Sequence, residues 1–374
     1  MKTGGGHLAP AKAIAERINN RKDANTDVHL VDGLSESHYI LKKILEDGYR
    51  TAVNKAVWTF EFLYLLHKIK IVSRTSAVII SSIVESDIEK LILETNPDKI
   101  VIFHFFLTRP VFKIITKYKL NIPVITVVTD PFTAHPVWFL QEGQNYILFS
   151  DLLRERCIKR GIGPNTMRVF PFVLNGKFSQ EEREPAESIK RMKFGFSPSS
   201  RIILILGGGE GLPGGEAILR KVIGLNTDAE IAIVCGNNMN LYSAAMSIKE
   251  RLSSDNLHVF GFVDFVHSLL SISDIVITKC GASATMEILM MGKIPVISNY
   301  IWEQEKGNME FVCSQDMGIL VRNRRLLPEV INKLMTDREY YNYMSENVKK
   351  AALKNGLDRV TDFIINFQQS ESNI

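Results

Sequence analysis

No stretch of this chain is apolar for long enough to cross a bilayer; the roughly 18 to 20 uninterrupted residues that a spanning helix needs occur nowhere in it. Its opening residues also lack the apolar core of a secretory signal. Cysteine is sparse. The four cysteines, Cys157, Cys235, Cys280 and Cys313, are far apart and form no CxxC or Cys/His metal spacing. Three stand in or beside apolar runs, as buried thiols do in a reducing compartment. An excess of one charge is missing too, because 45 Lys+Arg against 41 Asp+Glu leave a net +4, too little to draw nucleic acid without a local cluster. The expectation is a cytoplasmic protein with no metal site, no cofactor and no nucleic-acid partner.

What is present is a folded chain of 374 residues, 45% hydrophobic and 23% charged, long enough for two domains of ordinary size. Short β-branched runs recur, each followed by a helical stretch: "AVII" (77–80), "KIVIFHFF" (99–106), "PVITVVTD" (123–130), "RIILILGGG" (201–209), "AEIAIVCG" (229–236), "LHVFGFV" (257–263), "DIVITKCG" (274–281) and "IPVISN" (294–299). Runs that are apolar throughout and spaced by helix lengths predict parallel sheets covered on both faces, an α/β class. The charged, strandless stretch 175–200 separates two sets of strands. It sets the expected domains at 1–180 and 181–345, with a last helix in 346–374 that could return to the first domain.

In the second half, "ILILGGGEGLPGGEAILRKVI" reads as strand, glycine-rich loop and helix. Gly207, Gly208, Gly209 and Gly211 would let the backbone approach an anion such as a diphosphate, with a helix N-terminus behind it. A glycine-rich turn without any ligand fits the same residues. The Gly-Lys-Ser/Thr of a Walker A loop is absent, and Glu210 would repel phosphate unless it faced away. Further on, Gly281 opens a helix whose single acid, Glu287, stands among Met286, Ile288, Leu289 and Met290. Such a carboxylate either binds a sugar diol, caps a local donor or is solvated.

As a set, "GGGEG", "VCG-N", "GFV", "SDIVITKCG", Glu287, "G-IPVI" and "QEKGN" at 304–308 resemble the C-terminal half of the monogalactosyldiacylglycerol synthase family, which includes bacterial diacylglycerol glucosyltransferases. The resemblance implies a GT-B fold of two Rossmann-like domains facing a cleft, with a UDP-sugar held mainly by the second. By that likeness the four loop glycines approach the diphosphate, Phe262 and Val263 line the uracil pocket, and Glu287 binds the ribose. Gln304 and Glu305 would hold the sugar. The family's Gly-Pro-Gly-Thr appears here as Gly281-Ala282-Ser283-Ala284, so Gly281 and Ser283 are expected in the phosphate turn.

"TGGGH" at 3–7 is similar to the family's N-terminal loop, whose histidine faces the reaction cleft. A neutral imidazole can take a hydroxyl proton near physiological pH, which makes His7 the first candidate base; capping the loop or contacting phosphate are its alternatives. "VVTDPFTAHPVWF" at 127–139 also resembles a family loop. Asp130 could there orient His7, act as base itself, or serve as a turn residue before Pro131. His135 and Trp138 either shape the acceptor entrance or pack.

Between these motifs, residues 38–74 interleave bases with aromatic and aliphatic side chains, Trp58, Phe62, Lys68 and Lys70 among them. That pattern suits an anionic leaflet, and equally a core helix with a solvated basic face. Family members carry a strand before the glycine loop where this chain has only Met1 and Lys2, so the expected first domain lacks a strand, and a start upstream of Met1 is the favoured reading. The expected activity is inverting transfer of a hexose from a UDP-sugar to a lipid acceptor, diacylglycerol, at the inner face of the cell membrane, the protein being peripheral there. The rivals are N-acetylglucosamine transfer to a polyprenyl-linked acceptor, a UDP-sugar epimerase, and a non-catalytic UDP-sugar- or membrane-binding protein.

Overall fold

The computed structural model describes residues 5–21, 26–33, 65–66, 70–179, 191–225 and 227–368. The chain divides into two compact units, one of residues 1–175, 301–304 and 355–374, the other of 176–300 and 305–354.

In the first unit, helices α1 (Gly5–Asn19) and α2 (Lys70–Thr95) precede strand β1 (Ile100–Ile102). Helix α3 (Thr108–Tyr118), β2 (Val124–Val127), β3 (Asn145–Leu148), α4 (Asp151–Lys159) and β4 (Met167–Val169) follow. The described strands form one parallel sheet in the order β1-β2-β3-β4. Val84, Ile88 and Ile92 of α2, Val111 and Ile114 of α3, and Ile102 and Val124 of the strands make one apolar cluster. The spacing of the α2 residues is that of one helix face.

The run 77–80, expected as a strand, belongs to α2. Four apolar residues in a row fit a strand or a helix equally, and here Val78 and Ile79 are exposed while the face three to four residues on packs. Strands β3 and β4, by contrast, have no long β-branched run to announce them.

The second unit runs β5 (Ile202–Leu206), α5 (Gly215–Ile223), β6 (Glu230–Val234), α6 (Met239–Leu252), β7 (Leu257–Phe260), α7 (Val266–Ile272), β8 (Ile275–Lys279), α8 (Ala282–Met290), β9 (Ile294–Asn299), α9 (Trp302–Ser314), β10 (Ile319–Leu320), α10 (Leu327–Thr336) and α11 (Arg338–Lys350). Its strands are all parallel, in the order β10-β9-β8-β5-β6-β7. Successive residues of β5 go to opposite faces. Ile203 and Ile205 join one core with Ile218 of α5, Ala245 of α6 and Ile331 of α10, and Ile202, Leu204 and Leu206 join another with Leu269 of α7 and Ile288 of α8. Burying each such side chain is worth about 1.5–3 kcal/mol, which is why the strand is apolar at every position rather than at alternate ones.

The order β8-β5-β6 puts β5 at the centre, with chain connections leaving it in both directions. Ligands bind open α/β sheets at the carboxyl edge beside such a reversal. Where one C-terminal helix was expected there are two: α11, and α12 (Leu357–Asn366), separated by residues 351–356 with Ala352 left-handed at φ 46. Helix α12 lies on α1, where Arg17 and Arg21 pair with Asp358 and Asp362.

Candidate functional site

In the second unit, the strand ends bring Gly207 to Gly211, Cys235–Gly236 and Lys279–Gly281 to one edge. At Gly207 a Cβ would stand 2.2 Å from the Leu212 backbone, so only glycine permits the loop to fold back there. Gly211 is left-handed at φ +71, and a Cβ on it would reach within 2.7 Å of the Cys235 carbonyl oxygen. The loop is tied internally by Gly211 N–H donating to Gly208 C=O (3.0 Å) and to the next strand by Asn237 N–H donating to Gly209 C=O (2.8 Å). A Cβ at Gly208 or Gly209 would meet nothing within 4 Å; that side of the loop is open. Helix α5 starts at Gly215, not directly after Gly211 as the sequence suggests, because Leu212, 2% exposed, is first drawn into the core.

Gly281 is the N-cap of α8 and supplies no side chain to it, and Ser283, in its first turn, has a buried Oγ with no hydrogen-bond partner among the described residues. Glu287 is half-buried one turn further on. Burial pushes its carboxyl up to about 7, which is not the environment of a solvated helix glutamate. Phe262 is 68% exposed, and Val263 packs against the core that holds Leu204. Glu305 is buried, 4.0 Å from the Lys279 ammonium, and Asn308 ties α9 to the end of β8 by donating to the Cys280 carbonyl at 2.9 Å. Neither Lys279 nor Asn308 stood out in the sequence; both lie inside quoted motifs, and that position was the available signal.

In the first unit, His7 lies in the first turn of α1 with Nδ1 2.6 Å from Thr129 Oγ1. Its ring is edge-on to His104 at 4.6 Å and tilted to Trp138 at 5.8 Å. Burial pushes the imidazole down to about 4, against a smaller upward pull from the Phe103 carbonyl, so the ring is neutral at pH 7. His104, buried after β1, accepts a hydrogen bond at Nδ1 from Phe106 N–H and is likewise held well below the ordinary histidine range by burial. Sequence reasoning missed His104 and Thr129, since only the parallel pairing of β1 and β2 brings their trailing residues beside α1.

Asp130 Oδ2 accepts from the Trp138 indole N–H at 3.0 Å. Trp138 is fully buried among Val128, Tyr146, Leu148 and Leu153 and is therefore packed rather than a lining residue. His135 is 7% exposed, its Nδ1 accepting from Val137 N–H. Gln304 has a buried Oε1 without a hydrogen-bond partner among the described residues, while its backbone carbonyl accepts from Thr133 at 3.2 Å. Trp58, Phe62 and Lys68 lie outside the described residues, and Lys70 is described only as the first residue of α2. Among the described residues, no group of three or more His, Cys, Asp or Glu could hold a metal ion, and no helix is long and apolar enough to cross a membrane.

The family model of monogalactosyldiacylglycerol (MGDG) synthase matches residues 7–173, and that of the glycosyltransferase family 28 C-terminal domain matches 202–360. The chain belongs to the MGDG synthase and diacylglycerol glucosyltransferase family. The processive diacylglycerol beta-glucosyltransferase of Bacillus pumilus is 24% identical over 97% of this chain and 92% of its own length. The chloroplastic MGDG synthase of Spinacia oleracea is 25% identical over 94% and 68%.

Among solved structures, the UDP-GlcNAc 2-epimerase of Neisseria meningitidis bound to UDP-GlcNAc is similar with a TM-score of 0.60 at 14% identity, covering 96% of this chain and 95% of that one. At that identity the likeness speaks to fold alone. The fold is GT-B: two units, each an α/β layer structure on a parallel sheet.

Proposed function

We propose that this family member is an inverting, UDP-sugar-dependent hexosyltransferase whose acceptor is a lipid hydroxyl, that of diacylglycerol. One observation carries the reading: a single alignment with a diacylglycerol glucosyltransferase runs through both units, covering 97% of this chain. The loop and helix start at the carboxyl edge of the second sheet support a diphosphate there, because the loop is open to close approach at Gly208 and Gly209 and a helix dipole favours an anion. Glu287, held partly protonated by burial, is suited to grip a ribose diol once it ionises.

In the proposed reaction the acceptor oxygen attacks the anomeric carbon from the face opposite UDP, and its proton passes to His7. A neutral ring is in the correct state to accept it, and its low basicity is tolerable because the acceptor proton grows acidic as the new C–O bond forms. Thr129 would hold that ring in place. Asp130 serves by fixing the Trp138 loop through the indole hydrogen bond. An anionic leaflet would present the acceptor, with the basic and aromatic segment 38–74 as the contact.

The test is product analysis with diacylglycerol in anionic vesicles and UDP-glucose, UDP-galactose and UDP-N-acetylglucosamine in turn. Glycosylated diacylglycerol with inverted anomeric configuration is expected. Transfer only to a polyprenyl-linked acceptor, or nucleotide binding without UDP release, would overturn it.

A further inference from the structure

The second unit holds a cation beside the glycine loop that backbone-only binding of a diphosphate leaves unused. Lys279 is the last residue of β8, and its neighbour Thr278 pairs with Leu206 of β5, so Lys279 stands level with Gly207 on the adjoining strand. The β8/β9 ladder slips at this point. Thr278 pairs with Ile297 but Lys279 with Asn299, leaving Ser298 as the extra residue. A bulge of this kind at a strand end re-aims the side chain beside it.

The lysine stem passes over the start of α8, its Cε 3.7 Å from where a Cβ on Gly281 would lie, and Nζ stops 4.0 Å from Glu305 Oε1. Charge-assisted hydrogen bonds close to about 2.7–2.9 Å, so this pair is electrostatic contact without a hydrogen bond. The Lys279 ammonium donates no hydrogen bond to any described residue, although the side chain is only 26% exposed. Glu305, at 8% side-chain exposure, is the carboxylate that faces the ammonium at this edge.

We infer that Lys279 is a further donor-site residue, its ammonium contacting the β-phosphate of the sugar nucleotide between Gly207 and the first turn of α8. The inference rests on the reading of this edge as the UDP-sugar site and adds a side chain to it. In the transfer step the bond between the anomeric carbon and the β-phosphate oxygen breaks, and its electron pair stays on that oxygen. The new bond forms to the acceptor oxygen, whose proton goes to His7. The β-phosphate of the departing UDP thus carries one more negative charge than it did in the ester, and an ammonium already in place stabilises that charge as it develops.

The experiment measures equilibrium binding of UDP, UMP and uridine to the full chain and to Lys279→Met, Lys279→Arg and the double variant Lys279→Met/Glu305→Gln, with thermal melting as the check on folding. Expected are a 10- to 100-fold loss of UDP affinity in Lys279→Met, changes under 3-fold for UMP and uridine, a smaller UDP loss in Lys279→Arg, and no recovery in the double variant. The double variant separates the two roles. If the lysine only neutralised Glu305, removing both charges would restore UDP binding, and that result would overturn the inference. Unchanged UDP affinity in Lys279→Met, or an equal loss for UMP, would overturn it as well. Should Lys279→Met melt early, the UDP:UMP ratio of Lys279→Arg and of the double variant decides by the same criteria. Failure of the unaltered chain to bind UDP would instead bring down the donor-site reading beneath it.

Discussion

The imidazole Nδ1 of His7 stands 2.6 Å from the hydroxyl oxygen of Thr129, so a helix start and a strand end that are 122 residues apart share one hydrogen bond. If His7 is the base, His7→Ala lowers kcat about 10²- to 10⁴-fold with little change in the KM for UDP-sugar. Thr129→Val, which keeps the shape and loses the partner, lowers kcat by about tenfold. Equal turnover by His7→Ala and the unaltered protein would end that assignment.

The pH profile follows from the same ring. Because burial holds His7 near 4, the acid limb of kcat/KM assigned to it falls near pH 4 to 5 rather than at 6.5. A folded-state pKa below the unfolded value means that the group's contribution to stability is intact above pH 6.5 and is lost as the pH falls toward 4. His7→Gln therefore flattens the loss of melting temperature between pH 6.5 and 4.

Glu287 gives the opposite sign. Its carboxyl is raised to about 7, so the folded protein binds this proton more tightly than the unfolded chain, and stability declines as the pH rises from about 4.5 through 7. Glu287→Gln raises the melting temperature of the ligand-free protein at pH 8 and leaves it unchanged at pH 4. The same substitution lowers UDP affinity about 10-fold at pH 8. It also removes the weakening of affinity expected in the unaltered protein between pH 8 and 6.

Two loop glycines separate folding from binding. Gly207→Ala places a methyl 2.2 Å from backbone, and a cost above about 2 kcal/mol is read as a lower melting temperature. Gly209→Ala meets nothing within 4 Å and melts within a degree or two of the unaltered protein, yet loses UDP affinity if the diphosphate lies against that loop. Full UDP affinity in Gly209→Ala would move the ligand elsewhere.

Asp130 can be assigned by a pair of substitutions. Asp130→Ala removes the acceptor of the buried Trp138 indole N–H and costs about 1–3 kcal/mol. Asp130→Asn keeps an acceptor oxygen. Near-normal turnover by Asp130→Asn would mark a positioning role, whereas a drop of about 10²-fold or more at unchanged stability would make the carboxylate itself a participant.

The unbroken apolar run of β5 could be read in the sequence because both of its faces are covered, so that every position carries the signal. Gly207 and Gly211 could be read because a turn that tight leaves only one residue type. Strand β4, three residues long with Arg168 in its middle, carries no such signal, and residues 77–80 carried a false one, since four apolar residues do not distinguish a period of 2 from one of 3.6.

The sequence alone determined the two-sheet α/β class, the glycine loop and the family, because these depend on residue type, local order and spacing. Tertiary structure decided what His104, Thr129, Trp138 and Lys279 face. Each stands at or beyond the end of a strand or in a following turn, where its neighbours come from parallel strands and helices distant in the chain. No local pattern encodes such a neighbour; pairing register and helix packing create it.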